Sequence, residues 1–143
     1  MSHQHNYLES SRLPAGTVVR VNCGLYDHVA LMGSGTMNGE RTVLSFSARH
    51  RGLAEVPFSA FAENKQVTVD GYLGTLSPDD VLKRAWLKRG QPYCLMTFNC
   101  EHFIRYAHDV NIESPQVTQW VLLVNAFGAL VALSRASSFR GIS

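Results

Sequence analysis

The sequence is poor in cysteine, holds no CxxC pair and contains no long run of charge of either sign. Its three cysteines, Cys23, Cys94 and Cys100, are an odd number at irregular spacing, which argues against a disulfide framework and against a structural zinc site. We therefore expect reduced thiols in a cytoplasmic setting, with neither a metal nor another cofactor. The formal net charge of +2 is too small to indicate nucleic acid as a partner.

The chain divides by composition into three parts. Residues 1–11 are polar and lack the apolar stretch of a secretory signal, so we expect a flexible N-terminal lead. Residues 12–112 mix apolar and polar positions as one folded domain does. Residues 113–143 are predicted to form a C-terminal hydrophobic helix and tail, because 117–133 is almost continuously apolar and too long for one strand.

The order of the predicted elements gives an α+β fold class, with an antiparallel sheet packed on helices. Runs of β-branched and apolar residues predict strands at 17–21, 28–32, 41–46, 55–58 and 66–69. Gly33 is expected to begin a loop that runs to Gly39. Ser77 is followed by a proline and two acids, which predicts a helix start, and a further helix is expected to begin at Asn99.

Cys100 is the candidate nucleophile. Most free cysteines are small buried hydrophobes, and that interpretation stays open for Cys100. Its position favours chemistry, because Asn99 is a good helix N-cap and places the thiol in the first turn. There, free backbone N–H groups and the helix dipole favour the thiolate, and the same amides can hold a developing oxyanion.

His28 is the candidate base, because a thiol nucleophile needs a proton acceptor. It opens the apolar strand 28–32, where a histidine also fits the role of a hydrogen-bonded core residue. His102 follows Cys100 by two positions and points away from it on a helix. We therefore expect His102 to pack or to cap the helix.

Residues Asn99 to Phe103 read NCEHF. This segment resembles the signature of the lecithin:retinol acyltransferase-like (LRAT) domain family, which includes the HRAS-like suppressor phospholipase/acyltransferases. The segment from Leu25 to Gly33 is similar to that family's histidine strand, and 82–91 resembles the helix and turn that precede its cysteine. The resemblance covers residues 13–110.

The resemblance implies a permuted NlpC/papain-like fold for 12–112, with the histidine ahead of the cysteine in the chain. It implies a thiol acyltransferase or phospholipase A-type hydrolase that transfers or hydrolyses acyl groups of glycerophospholipids through an acyl-thioester on Cys100. The implied partners are a phospholipid or other lipid acyl donor and a membrane surface. Several family members carry a C-terminal hydrophobic anchor, and Val117 to Leu133 is similarly placed.

The third catalytic position departs from the family's pattern. The family usually has a second polar ring, often histidine, on the strand after the histidine strand, and this sequence has Ser45 at the matching place. A serine hydroxyl can accept a hydrogen bond from His28 but cannot stabilise an imidazolium as a carboxylate would. The predicted catalytic residues are therefore Cys100, His28 and Ser45.

Two other classes of function remain open. An NlpC-like amidase or peptidase uses the same pair of residues, although the apolar C-terminal segment favours a lipid substrate. A non-catalytic, membrane-associated binding module would keep the motif without turnover, and the absent second histidine favours that class.

Overall fold

The computed structural model describes residues 9–110 as an α+β domain. Its strands are β1 (Val18–Asn22), β2 (Asp27–Met37), β3 (Glu40–Ser47), β4 (Gly52–Pro57) and β5 (Val67–Gly71). Its helices within these residues are α1 (Phe58–Ala62), α2 (Pro78–Trp86) and α3 (Cys100–Ala107). The five strands form an antiparallel sheet, which confirms the predicted fold class.

The strand order of the sheet is β4-β3-β2-β1-β5, so β2 lies in the middle. β1 to β4 form a meander, and β5 returns to pair with β1. In the register of β2, His28 lies opposite Val21 of β1, and Ala30 lies opposite Ser45 of β3. The start of β2 is therefore covered by a neighbouring strand on each side.

The hairpin between β2 and β3 is longer than predicted. β2 continues to Met37, so the predicted loop beginning at Gly33 is wrong, and the turn consists of Asn38 and Gly39 at positive φ. A Cβ at Gly33 would come within 2.6 Å of Thr42 Oγ1, and the register shifts between Met32 and Thr36. Glycine here allows a close approach of two strands at an irregularity, which is a common reason for glycine inside a strand.

Two helix starts differ in how well the sequence predicted them. Ser77 Oγ accepts a hydrogen bond from the Asp80 amide at 3.2 Å, which confirms the predicted cap of α2. Phe58 was expected to end a strand but begins α1, which is five residues long. A helix of that length is too short to show a 3.6-residue pattern.

The sheet buries side chains on both of its faces. One face packs against α2 and α3, and its strand residues are Val18, Val29, Leu31, Leu44 and Phe46. The other face packs against α1, and its strand residues are Val19, Val21, Ala30, Met32 and Val43. Successive residues of β2 therefore belong to different faces, as strand geometry requires.

The predicted C-terminal hydrophobic helix and tail, 113–143, lies outside the described residues. Within residues 9–110, no helix is long and apolar enough to cross a membrane. The strand histidine precedes the helix cysteine, as the permuted NlpC/papain-like arrangement requires. The permuted fold itself stays a prediction.

Candidate active site

Cys100 is the first residue of α3, and Asn99 is the N-cap of that helix, as predicted. Asn99 Oδ1 accepts hydrogen bonds from the amides of Glu101 at 3.0 Å and His102 at 3.2 Å. His102 Nδ1 in turn accepts from the Asn99 amide at 3.3 Å, which completes a capping box. His102 therefore caps the helix, as expected from its position.

The Cys100 thiol is buried, with 3% of the residue exposed. Burial raises the pKa of Cys100 to about 11 and outweighs the backbone hydrogen bonds to Val29 and Glu101, which lower it. The backbone contact at the helix start lowers the pKa as expected, but desolvation of the sulfur is the larger effect, so the net shift disfavours the thiolate. A base has to remove this proton before the sulfur can act as a nucleophile.

His28 is the second residue of β2, and its Nε2 lies 2.9 Å from Ser45 Oγ of β3. Ser45 is 3% exposed, so bulk water does not reach this contact freely. Burial lowers the pKa of His28 to about 4, and the ring is therefore neutral at pH 7. The tautomer that donates its Nε2–H to Ser45 keeps a lone pair on Nδ1, which a base needs.

The structure brings His28 and Ser45 together but leaves Cys100 on the other side of the sheet. The His28 ring packs against Phe61 of α1, with ring centroids 5.6 Å apart. The sulfur contacts the backbone of Val29, the next residue of β2, from the side of α3. Among residues 9–110 the imidazole bonds to Ser45 and no hydrogen bond joins it to the thiol. Bonds between a nucleophile and its base often form only with substrate bound, and the dyad stays a prediction.

A cavity of about 380 Å³ opens beside His28 and Ser45. Tyr26 and Tyr93 line it as well. Burial raises the pKa of both tyrosines, that of Tyr93 to about 12, and the charge of a nearby Cys100 thiolate adds to both rises. Both tyrosines lie within electrostatic range of Cys100, but Cys100 itself is not among the residues that line the cavity.

Arg20 of β1 ties the start of α3 to the sheet, a contact that sequence reasoning missed. Its guanidinium lies 2.8 Å from Asp70, 3.4 Å from Asp27 and 3.4 Å from Glu101, the residue after Cys100. Burial lowers the pKa of Arg20, but the three carboxylates outweigh it and the pKa lies above its ordinary value. The partners come from β5, β2 and α3, so no local sequence signal could have shown that they meet.

The other two cysteines differ from Cys100 in their surroundings. Cys94 is exposed, and a hydrogen bond with the Thr97 side chain lowers the pKa of its thiol. Cys23 is partly buried, with its sulfur 3.9 Å from Lys65 Nζ. Within the described part of the chain, no three histidine, cysteine or carboxylate side chains converge as a metal site requires.

Comparison with known proteins places this domain in a family. The family model described as lecithin retinol acyltransferase matches residues 13–110, which is almost all of the described domain. The chain therefore belongs to the lecithin retinol acyltransferase family, and the resemblance found in the sequence is confirmed. This membership implies, in broad terms, acyltransferase- or phospholipase-type activity. No curated protein and no solved structure gives a significant match.

Proposed function

We propose that the protein is a cysteine-dependent acyltransferase or acyl hydrolase that acts on glycerophospholipids through an acyl-thioester on Cys100. One observation carries this proposal: the Cys100 thiol lies at the start of α3 against Val29, the neighbour of the hydrogen-bonded His28. Membership of the family supports acyl transfer as the reaction class. The starting state is a neutral thiol and a neutral imidazole, because burial disfavours both charged forms.

The first half of the reaction forms the thioester. This step requires substrate binding to bring Cys100 Sγ within hydrogen-bond reach of His28. His28 Nδ1 then takes the proton from Cys100 Sγ, and the thiolate attacks the carbonyl carbon of the ester. The π electrons of the carbonyl move to its oxygen, which accepts a hydrogen bond from the Cys100 amide. The intermediate collapses with cleavage of the ester C–O bond, and His28 returns its proton to the leaving alcohol oxygen.

The second half of the reaction releases the acyl group. The acceptor gives a proton to His28 and attacks the thioester carbonyl, the C–S bond breaks, and the sulfur recovers the proton from His28. Water as acceptor makes the protein a phospholipase A-type hydrolase, and an amine makes it an acyltransferase. Ser45 accepts from Nε2–H in both halves and thereby keeps the Nδ1 lone pair directed at the reacting atoms.

The amides that can hold the oxyanion are limited by the helix cap. Asn99 Oδ1 already accepts from Glu101 and His102, so these two amides are occupied. The Cys100 amide is the first of the helix and does not bond to that oxygen. We therefore assign the oxyanion contact to the Cys100 amide, since donors at such sites must point at the position where charge develops.

A non-catalytic lipid-binding module is the second candidate. The observation that favours it is the position of Cys100 and His28 on different faces of the sheet, without a hydrogen bond between them among residues 9–110. Such a module would bind phospholipid without forming a thioester.

Intact-mass measurement after incubation with mixed phospholipids tests the proposal. We expect one acyl adduct, located at Cys100 by peptide mapping, and no adduct on the Cys100→Ser protein. Cys23→Ser and Cys94→Ser are matched controls that should keep the adduct. An ester substrate is required, because an electrophilic probe would also label the exposed Cys94. An adduct that survives Cys100→Ser, or binding of phospholipid without any adduct, contradicts the proposed chemistry.

A further inference from the structure

The cavity beside His28 has a charged rim to which the acyl-transfer steps assign no role. Arg49 and His50 follow β3, Glu63 and Lys65 lie between α1 and β5, and all four line the cavity. Burial is the main reason that the pKa of His28 is low; the three basic side chains lower it further, and Glu63 raises it. The rim therefore carries more positive than negative charge within electrostatic range of the base.

Glu63 lies between the two permanent cations of this rim. Its carboxylate pairs with the Arg49 guanidinium, and its other oxygen lies 3.4 Å from Lys65 Nζ. The hydrogen bond and charge of Arg49, with a smaller contribution from Lys65, lower the pKa of Glu63. The side chains are 71% exposed for Arg49, 39% for Glu63 and 40% for Lys65. Exposed ion pairs are weak, so an anion from solution can compete with this carboxylate for both cations.

The direction of proton transfer determines which part of the substrate lies here. His28 returns its proton to the leaving oxygen, so the leaving alcohol has to lie next to His28, on the cavity side of the sheet. In a glycerophospholipid that alcohol carries a phosphate a few bonds from the leaving oxygen.

We propose that Arg49 and Lys65 form the subsite for the phosphate of the leaving group, and that this phosphate takes the place of the Glu63 carboxylate. The inference rests on the proposed function and adds the substrate feature that the site selects, a phosphate-bearing alcohol in preference to a neutral one.

Two soluble esters with the same acyl chains test this subsite in the full chain: dihexanoylglycerophosphate and dihexanoylglycerol. The measured quantity is the ratio of their kcat/KM values. Arg49→Gln and Lys65→Gln should each lower the preference for the phosphate ester by roughly fivefold, the upper range for an exposed ion pair. Glu63→Gln should raise it, because a competing anion is removed. Arg51→Gln is the matched control, since Arg51 is exposed in the same turn but does not line the cavity.

The subsite would be overturned if Arg49→Gln and Lys65→Gln lowered kcat/KM equally for the two esters. It would also be overturned if Arg51→Gln changed the ratio as much as they do. Calorimetric binding of dihexanoylglycerophosphate to the Cys100→Ser protein separates the subsite from the proposed function. Binding that weakens in Arg49→Gln and Lys65→Gln, without an acyl adduct on the parent chain, supports the subsite and contradicts the activity. If an acyl adduct forms on the parent chain but binding is unchanged in Arg49→Gln and Lys65→Gln, the subsite is contradicted and the proposed activity is not.

Discussion

At the Cys100 sulfur and the His28 ring, burial removes the water that would stabilise the charged forms. The pKa of Cys100 rises to about 11 and that of His28 falls to about 4 for this reason. Between those pH values both groups are neutral in the free protein. In the proposed reaction, acylation therefore proceeds by transfer of the thiol proton to the imidazole, because no thiolate–imidazolium pair exists beforehand.

The pH dependence of kcat/KM for acylation follows from these charge states. Below about pH 4 the ring is protonated and cannot accept the thiol proton, so the rate should fall with an acid limb near pH 4. Above it the rate should stay level through neutral pH. Glu63→Gln should move this acid limb to lower pH. Among the described charged groups that shift the pKa of His28, Glu63 raises it, whereas His50, Arg49 and Lys65 lower it.

His28→Ala is the control for this profile. Without a base, the rate should follow the thiolate fraction and keep rising towards the pKa of Cys100, about 11. An acid limb near the ordinary imidazole pKa of about 6.5 in the parent protein would show that His28 is not held neutral by burial.

Ser45 is predicted to fix the tautomer and orientation of the His28 ring through the 2.9 Å contact with Nε2. Ser45→Ala removes the buried hydroxyl that accepts this hydrogen bond. We expect acylation to slow by roughly threefold to tenfold, which corresponds to the net free energy of one neutral hydrogen bond. Ser45→Thr keeps the hydroxyl and should retain most of the rate. Single-turnover acylation measures both, and an unchanged rate in Ser45→Ala would leave Ser45 without a role.

At the scale of single elements, helix starts were predicted well because their signals are local. The capping side chain and the first-turn residues that mark a helix start all fall within four consecutive positions, as at Ser77 and at Asn99. The face of β2 on which His28 lies was not predicted, since a strand buried on both sides shows no alternation of apolar and polar residues. The sequence predicts a loop at Gly33 because the residue that requires a glycine there, Thr42, lies on another strand and gives no local signal.

The cap of α3 can be tested separately from catalysis. Asn99→Ala removes an oxygen that accepts from two amides of a buried helix start, and we expect the free energy of unfolding to fall by about 1–2 kcal/mol. Urea titration measures the change. Asn99→Asp keeps the accepting oxygen and should lose less stability, but its charge beside Cys100 should raise the pKa of the thiol further and slow acylation. Equal stability of the parent and Asn99→Ala proteins would mean that the helix start does not depend on this cap.

For the whole domain, the sequence predicted the α+β class and the local positions of Cys100 and His28, because each rests on a short segment, whereas their catalytic roles stay predictions. Cys100 follows an N-cap, His28 opens a strand, and both lie in segments that resemble one family. The charged rim was not predicted, since Arg49 and Lys65 come from separate connections that only the fold brings to one cavity. Spacing along the chain does not show that these side chains meet at one cavity.

The final prediction concerns the part of the chain after the domain. The family match ends at 110. The uncharged stretch 114–134 is about as long as the roughly 20 residues that a membrane-crossing helix needs, and its apolar part, 117–133, is shorter. We therefore propose that it anchors the domain to a membrane surface. Deletion of every residue after Glu113 should leave a domain that unfolds cooperatively in urea and no longer sediments with phospholipid vesicles, while the full chain sediments. A truncated protein that fails to fold would assign the segment to the core, and vesicle binding that survives the deletion would assign membrane contact to the domain itself.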